Sequence, residues 1–244
     1  MKKHIFFVGI IAVLTTSCDP KTNEVLLKTT SDILNATTGT ALTNDEIIKG
    51  LKEALSVGTN NSTALTSKLD GFNKNPIIFI PWPNEAKVMK DKLIQLGFQK
   101  QVTNFETSLN RAAEEATKSA APIFIDAITQ MTINDGISIL RGNDTAATHY
   151  LRTKTYSSLK TKFSPTVTEA INKVNVTSYW TPLVNTYNMI PNVKKQNPDL
   201  NAYVTDKAIN GLMTLIANEE TKIRRDPAAR VTEILKKVFG SIYK

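Results

Sequence analysis

Apolar positions keep a helical period along most of the chain, and the tightest pattern lies between Asn104 and Arg152. There Phe105, Leu109, Ala112, Ala116 and Ala120 recur at steps of four, three, four and four, which is one face of an α-helix. The second half of that face is alanine, so another helix can cross it at short range. Pro122 suits the first turn of a helix over residues 123–131. Residues 132–135 can cap a short third helix that stops at Gly142. Asn143 and Asp144 then cap a fourth, which runs through Ala147 and Leu151 as far as Phe163.

The same reading extends outward. Residues 25–36 are weakly amphipathic, and Gly39 ends them. Thr43-Asn44-Asp45-Glu46 is a capping box ahead of the stripe Ile47, Leu51, Ala54 and Leu55. Ile77 to Ile80 is a run with no helical period, closed by Pro81-Trp82-Pro83, and predicts a strand-like latch or a two-stranded ribbon with Trp82 plugged into the core. Ala86, Met89, Leu93 and Leu96 mark a helix that ends at Gly97. Ser164-Pro165 reads as the start of a fresh helix carrying Val167, Ile171 and Val174. Tyr179, Trp180, Leu183, Val184 and Tyr187 define an aromatic helix ahead of Pro191. A helix over residues 200–225 carries Val204, Ala208, Leu212, Leu215 and Ile223. Asp226-Pro227 caps a last helix over 228–243 that turns Val231, Ile234, Leu235, Val238 and Phe239 inward. The fold class is therefore all-α, a compact multi-helix bundle with one short extended latch segment.

The first residues carry an address instead of a fold. Lys2 and Lys3 precede an apolar run over 5–14 and the small residues Thr15-Thr16-Ser17, which lead to Cys18. The run is too short to span a bilayer. Cys18, the single cysteine, falls where a bacterial lipoprotein is cut and acylated, with Thr15 in place of the usual leucine. This predicts a signal peptide over 1–17, a tether and N-terminal helix over 18–42, and one helical domain over 43–244. The expected location is the cell envelope, with the chain anchored to a membrane by a palmitate-type lipid and facing the outer membrane or the periplasm. The net charge of +8 is spread thinly, and no basic–aromatic stacking motif accompanies it, so nucleic acid is not an expected partner.

Four blocks carry a family resemblance: N-R-A-A-E-x-A from Asn110; A-A-P-I-F-x-D-A-I-x-Q-M-T from Ala120; I-L-x-G-x-D-x-A-A-T-x-Y from Ile139; and G-L-x-x-x-I-A-x-E-E-x-x-I-R-x-D-P-A-A-R from Gly211. In these blocks the chain resembles a bacterial family known only as domain of unknown function four-one-nine-seven. Gly136, Leu151 and Met213 depart from its pattern. The resemblance implies an envelope-associated helical domain and supplies no activity.

Candidate chemistry is narrowed by what the sequence lacks. After cleavage the chain keeps one histidine, His149, and no thiol beyond the acylated Cys18, which removes a Cys–His dyad and a His-rich zinc site. The glycines are scattered singly, so no phosphate-cradling loop forms, and no cofactor is called for. Carboxylates and arginines remain. Glu219 shares the apolar stripe of its helix with Leu215 and Ile223, so its charge must be paired or neutralised. The expected partner is Arg111 or Arg141, with Arg230 as the alternative. Arg111, Glu114, Asp135, Arg141, Asp144, Glu219, Glu220, Arg224 and Arg230 form the candidate buried polar network. It reads as a lattice fixing helix register, or as acid/base groups or ligands for a hard cation. Three functions stay open: a non-catalytic envelope lipoprotein that binds a partner or scaffolds the surface, a carrier of an apolar ligand, and a carboxylate-dependent hydrolase. The first is the preferred reading, with the question of enzymatic activity left open and its absence favoured.

Overall fold

In the computed structural model, residues 42–134 and 136–242 are described, and all regular structure among them is helical. Cys18, the signal segment and the 25–36 helix lie outside the described residues, as does Asp135. The helices are α1 (Asn44–Thr66), α2 (Lys87–Gln95), α3 (Gln99–Thr117), α4 (Ala120–Gln130), α5 (Gly136–Leu140), α6 (Ala146–Lys173), α7 (Val176–Asn188), α8 (Leu200–Arg225) and α9 (Glu233–Gly240). Single 3₁₀ turns at Asn84–Ala86 and Pro227–Ala229 precede α2 and α9. No described helix is long and apolar enough to cross a membrane.

The centre of the bundle is α8, flanked by α1 and α6. Its Val204, Ala208, Ile209, Leu212, Met213 and Ile216 are all buried, on a band wide enough to serve both neighbours. Asp199 opens it by accepting the Ala202 N–H (3.0 Å), and Lys222, Arg224 and Arg225 fall in its last turn, where cations suit the dipole. α1 starts at the expected capping box: Thr43 Oγ1 accepts from Glu46 N (3.2 Å), and Glu46 Oε2 accepts from Thr43 N (3.0 Å). It continues through the polar stretch to Thr66, with Thr59, Ser62, Thr63 and Thr66 buried. α3 packs its Phe105–Leu109–Ala112–Ala116 face toward α6, α7 and α8.

Three expectations are corrected. Pro165 does not begin a helix; α6 runs through it to Lys173. Leu151, Thr155, Leu159, Phe163, Val167 and Ile171 form one buried stripe at steps of four, so packing on both sides of the proline outweighs the lost N–H. Ser164 Oγ also donates to Asn201 Oδ1 (2.8 Å), tying this turn to α8. Second, α9 begins at Glu233: Asp226 caps only the 3₁₀ turn, and Thr232 caps the helix. The intervening Val231 is exposed, not inward.

Third, Ile77 and Ile78 lie in a turn, and no ribbon forms among the described residues. Asn75 closes that turn, its carbonyl accepting from Ile78 N (3.2 Å) and Phe79 N (2.8 Å) and its side chain from Ile77 N (3.1 Å). The latch is instead Ile80 to Pro83. Trp82 is buried against Phe105 and Trp180, with ring centroids 4.8 and 5.6 Å away, and Tyr203 donates to Pro81 O (2.9 Å). Burial, followed by the charges of Glu85 and Glu106, pushes the Tyr203 phenol up to about 12.

Candidate functional site

The first motif block lies on α3 and clasps the chain between α1 and α2. Buried Asn110 accepts from Ile80 N (2.8 Å) and donates to Ile80 O (2.9 Å), as a neighbouring strand would, and also donates to Glu106 O (2.9 Å). One turn on, Glu114 Oε1 accepts from Phe72 N (3.1 Å) and Asn73 N (3.0 Å). Arg111 bridges Glu114 Oε2 and Asp70 Oδ1, each at 2.6 Å. Hydrogen bonds from Lys74, Arg111 and Asn73 hold the Asp70 carboxyl well below the usual range. Two polar side chains, Asn110 and Glu114, thus satisfy backbone that has no helix or sheet of its own, and Arg111 holds Glu114 in place.

The last block does the same for helix ends. Glu220, fully buried, accepts from Ala147 N (3.0 Å), Thr148 N (2.7 Å), Thr148 Oγ1 (2.7 Å) and Arg224 Nε (2.8 Å). A carboxylate has about four acceptor positions, and here each is occupied. It caps the N-terminus of α6 from another helix. Arg224 Nη1 and Nη2 donate to Leu140 O (2.7 Å) and Ile139 O (3.1 Å) at the end of α5, and its guanidinium stacks on Phe239 at 5.5 Å. Arg230 donates to Ile223 O (3.0 Å) and Arg224 O (2.9 Å), closing α8 itself.

The remaining network candidates separate from these two clusters. Glu219 is not paired with Arg111, Arg141 or Arg230; it hydrogen-bonds Lys222 and Asn61 Nδ2 (2.7 Å) and keeps a side-chain exposure of 19%. The cause is Gly58 of α1, whose Cβ position would lie 3.3 Å from Glu219 Cβ. With no side chain there, the carboxylate can run along α1 and out to solvent. Partial burial pulls its carboxyl up, but the hydrogen bonds from Lys222 and Asn61 and the Lys222 charge leave it below the usual range. Arg141 is exposed, and Asp144 pairs with Arg225 at the rim. The candidates among the described residues form two clusters and a periphery, not one lattice.

Two polar assemblies lie outside that candidate set. Arg152, Tyr156 and Lys160, one turn apart on α6, face Asn210 and Asp206 of α8, with Tyr156 Oη and Lys160 Nζ each 3.0 Å from Asp206. Burial and the Asp206 contact raise the Tyr156 phenol. Each member bonds another, so this is a cross-brace.

The second is an open pocket of about 340 Å³ between the end of α4, residues 131–134 and α6. Met131 and Ala127 lie buried at its base, and Gln130, Thr132, Asn134, Tyr150, Lys154, Ser158 and Lys162 line it. Tyr150 Oη donates to Thr132 O (2.6 Å), which joins the second and third motif blocks. Gln130 Nε2 donates to Asp126 Oδ1 (2.6 Å), and Asp126 also pairs with Lys162. Asp126, Gln130, Met131, Thr132 and Tyr150 all stand in the motif blocks, yet the carboxylate-centred reading passed over them. The available signal was polar or aromatic residues in those blocks at positions that need not be buried. His149 is exposed, as expected of a solvent-facing helical residue.

Residues 41–240 match the family model described as "Protein of unknown function (DUF4197)". No curated protein and no solved structure matches the chain.

Proposed function

The chain belongs to the DUF4197 family, and on that premise we propose that it is a bacterial cell-envelope lipoprotein, acylated at Cys18, whose helical domain has a non-catalytic binding role. The address is supported by Lys2 and Lys3, the apolar run and the small-residue approach to the lone Cys18. The binding role is carried by one observation: Glu220 has all four acceptor positions filled by backbone, hydroxyl and guanidinium donors and Glu114 accepts three such bonds, while the motif residues Gln130 and Tyr150 border an open pocket. A carboxylate whose lone pairs are all engaged cannot take a proton from a substrate or ligate an ion without breaking the fold's own bonds. That weighs against the hydrolase reading. The carrier reading loses support from the aromatic core, where Phe105 stacks on Trp180 at 4.6 Å and both contact Trp82.

Two measurements test the proposal. Cys18→Ala should move the chain from the membrane pellet to the soluble fraction; unchanged pelleting, with no acyl mass on the N-terminal peptide, overturns the anchor. For binding, the mature acylated chain in detergent micelles is titrated with neutral, anionic and cationic polar solutes while the Met131 methyl resonance is followed. At least one class should shift that resonance and be recovered unchanged. No shift from any class removes the binding role at this pocket, and recovery of a product removes the non-catalytic claim.

A further inference from the structure

We propose that the pocket between α4 and α6 recognises a small, hydroxyl-rich molecule through an oxyanion head, a carboxylate or a phosphate, with Lys154 as its counter-charge. The proposal rests on the binding role assigned above and names the ligand class. Among the described residues, those lining the pocket include two ammonium groups and no carboxylate. They are not equivalent. Lys162 is compensated by Asp126, which also holds the Gln130 amide. Lys154 has no carboxylate partner among the described residues; its ammonium lies 5.5 Å from the centroid of the Tyr150 ring.

That ring is in turn fixed by its hydroxyl on Thr132 O (2.6 Å). A cation–π contact positions an ammonium without supplying a counter-ion, so Lys154 has a restricted set of orientations and a place for an anion beside it. The neighbouring groups, Ser158 Oγ, the Asn134 amide and the Gln130 amide, are short polar side chains that can donate to an anion or exchange hydrogen bonds with hydroxyls. A volume of about 340 Å³ is at the small end of ligand sites and suits a molecule of sugar-acid or sugar-phosphate size. With Lys162 already paired, the uncompensated charge of the described lining residues is close to one, which favours a single anionic head over a polyanion.

The test uses the mature acylated chain in micelles, with glucuronate, glucose 6-phosphate, glucose and glucosamine as probes and the Met131 methyl as reporter. Glucuronate or glucose 6-phosphate should bind at least about tenfold more tightly than glucose and glucosamine, and added salt should weaken that binding. The tighter anion identifies the head group. Lys154→Gln should reduce anion affinity by about tenfold or more without moving the melting temperature, because Lys154 is exposed. Ser158→Glu places a negative charge on the rim and should abolish anion binding. If glucose or glucosamine binds as tightly as the anions, or Lys154→Gln leaves anion affinity unchanged, the oxyanion assignment falls while the pocket remains a binding site. If no probe and no other polar solute shifts Met131, the binding role itself falls with it.

Discussion

Glu219 and Glu220 are adjacent, identical in chemistry and opposite in consequence. Glu220→Ala removes four acceptor contacts at once and leaves the Ala147 and Thr148 N–H groups and the Arg224 guanidinium buried without them. A buried donor without a partner costs about 1–3 kcal/mol, and breaking one side of a buried ion pair about 3–5 kcal/mol. The terms overlap, because water can enter the vacated space and Thr148 can rotate, so the expected loss is about 3–5 kcal/mol. Against a total stability of about 5–15 kcal/mol that is a large fraction. Glu220→Gln keeps the shape but points an amide donor at either Arg224 or the start of α6, and should lose about 2–3 kcal/mol.

Glu219→Ala, by contrast, breaks a contact with an exposed lysine and one amide bond, and should stay within about 1 kcal/mol of wild type. Urea unfolding followed by far-UV circular dichroism measures all three variants on one scale. Hydrogen exchange at Ala147 and Thr148 should quicken in Glu220→Ala and not in Glu219→Ala. The reasoning is refuted if Glu220→Ala unfolds at the wild-type midpoint, or if Glu219→Ala is the more damaging substitution.

Other outcomes follow from the same contacts. Asn110→Ala should cost about 1–3 kcal/mol by leaving both backbone groups of Ile80 unmatched, and near-UV circular dichroism of the Trp82 cluster should weaken; an unchanged spectrum and midpoint contradict the clasp. Asp70 has φ 66°, which asparagine tolerates, so Asp70→Asn isolates the charge. Because its folded-state carboxyl is depressed, the stabilisation is complete above the unfolded value of about 4 and is lost as pH falls through the folded one. Wild type should therefore be the more stable form at neutral pH and converge on Asp70→Asn in strong acid; parallel stability curves rule this out. Gly50→Ala would set a Cβ 2.7 Å from Val238 Cγ2, so the unfolding free energy should drop by about 1–3 kcal/mol as α9 is pushed off α1; a more stable variant contradicts that contact.

Period and caps made most of the bundle legible. The Thr43 box, the glycine after α2 and the short α5 are all local signals, and local signals are what a sequence displays. Pro165 misled because its local meaning, a first-turn residue, was overridden by a stripe packed on both sides. Ile77 misled because a short β-branched run favours extension only when a neighbouring strand exists to pair with it. Here the strand-like partner is the Asn110 side chain, thirty residues away, and of this run it reaches only Ile80. Glu219 misled for a third reason: a helical wheel gives direction but not what stands opposite, and opposite it stands a glycine. The pocket was the least legible part, because its residues become neighbours only when α4 and α6 pack.

The position of the buried charges follows from the topology. A bundle of many short helices creates many helix ends, and some, such as the end of α5 and the start of α6, fall inside the protein where water cannot serve their free carbonyls and N–H groups. Only side chains from other helices can reach them. A carboxylate suits an N-terminus, a guanidinium a C-terminus, and Glu220 and Arg224 are placed one turn apart on α8 to do both at once. Charged residues concentrated in motif blocks are therefore what this architecture requires, whatever the protein does, and they are poor guides to function. The informative residues are the polar ones in those blocks that no helix end needs. Gln130 and Tyr150 meet that criterion and both line the same pocket, with Asp126 holding the Gln130 amide.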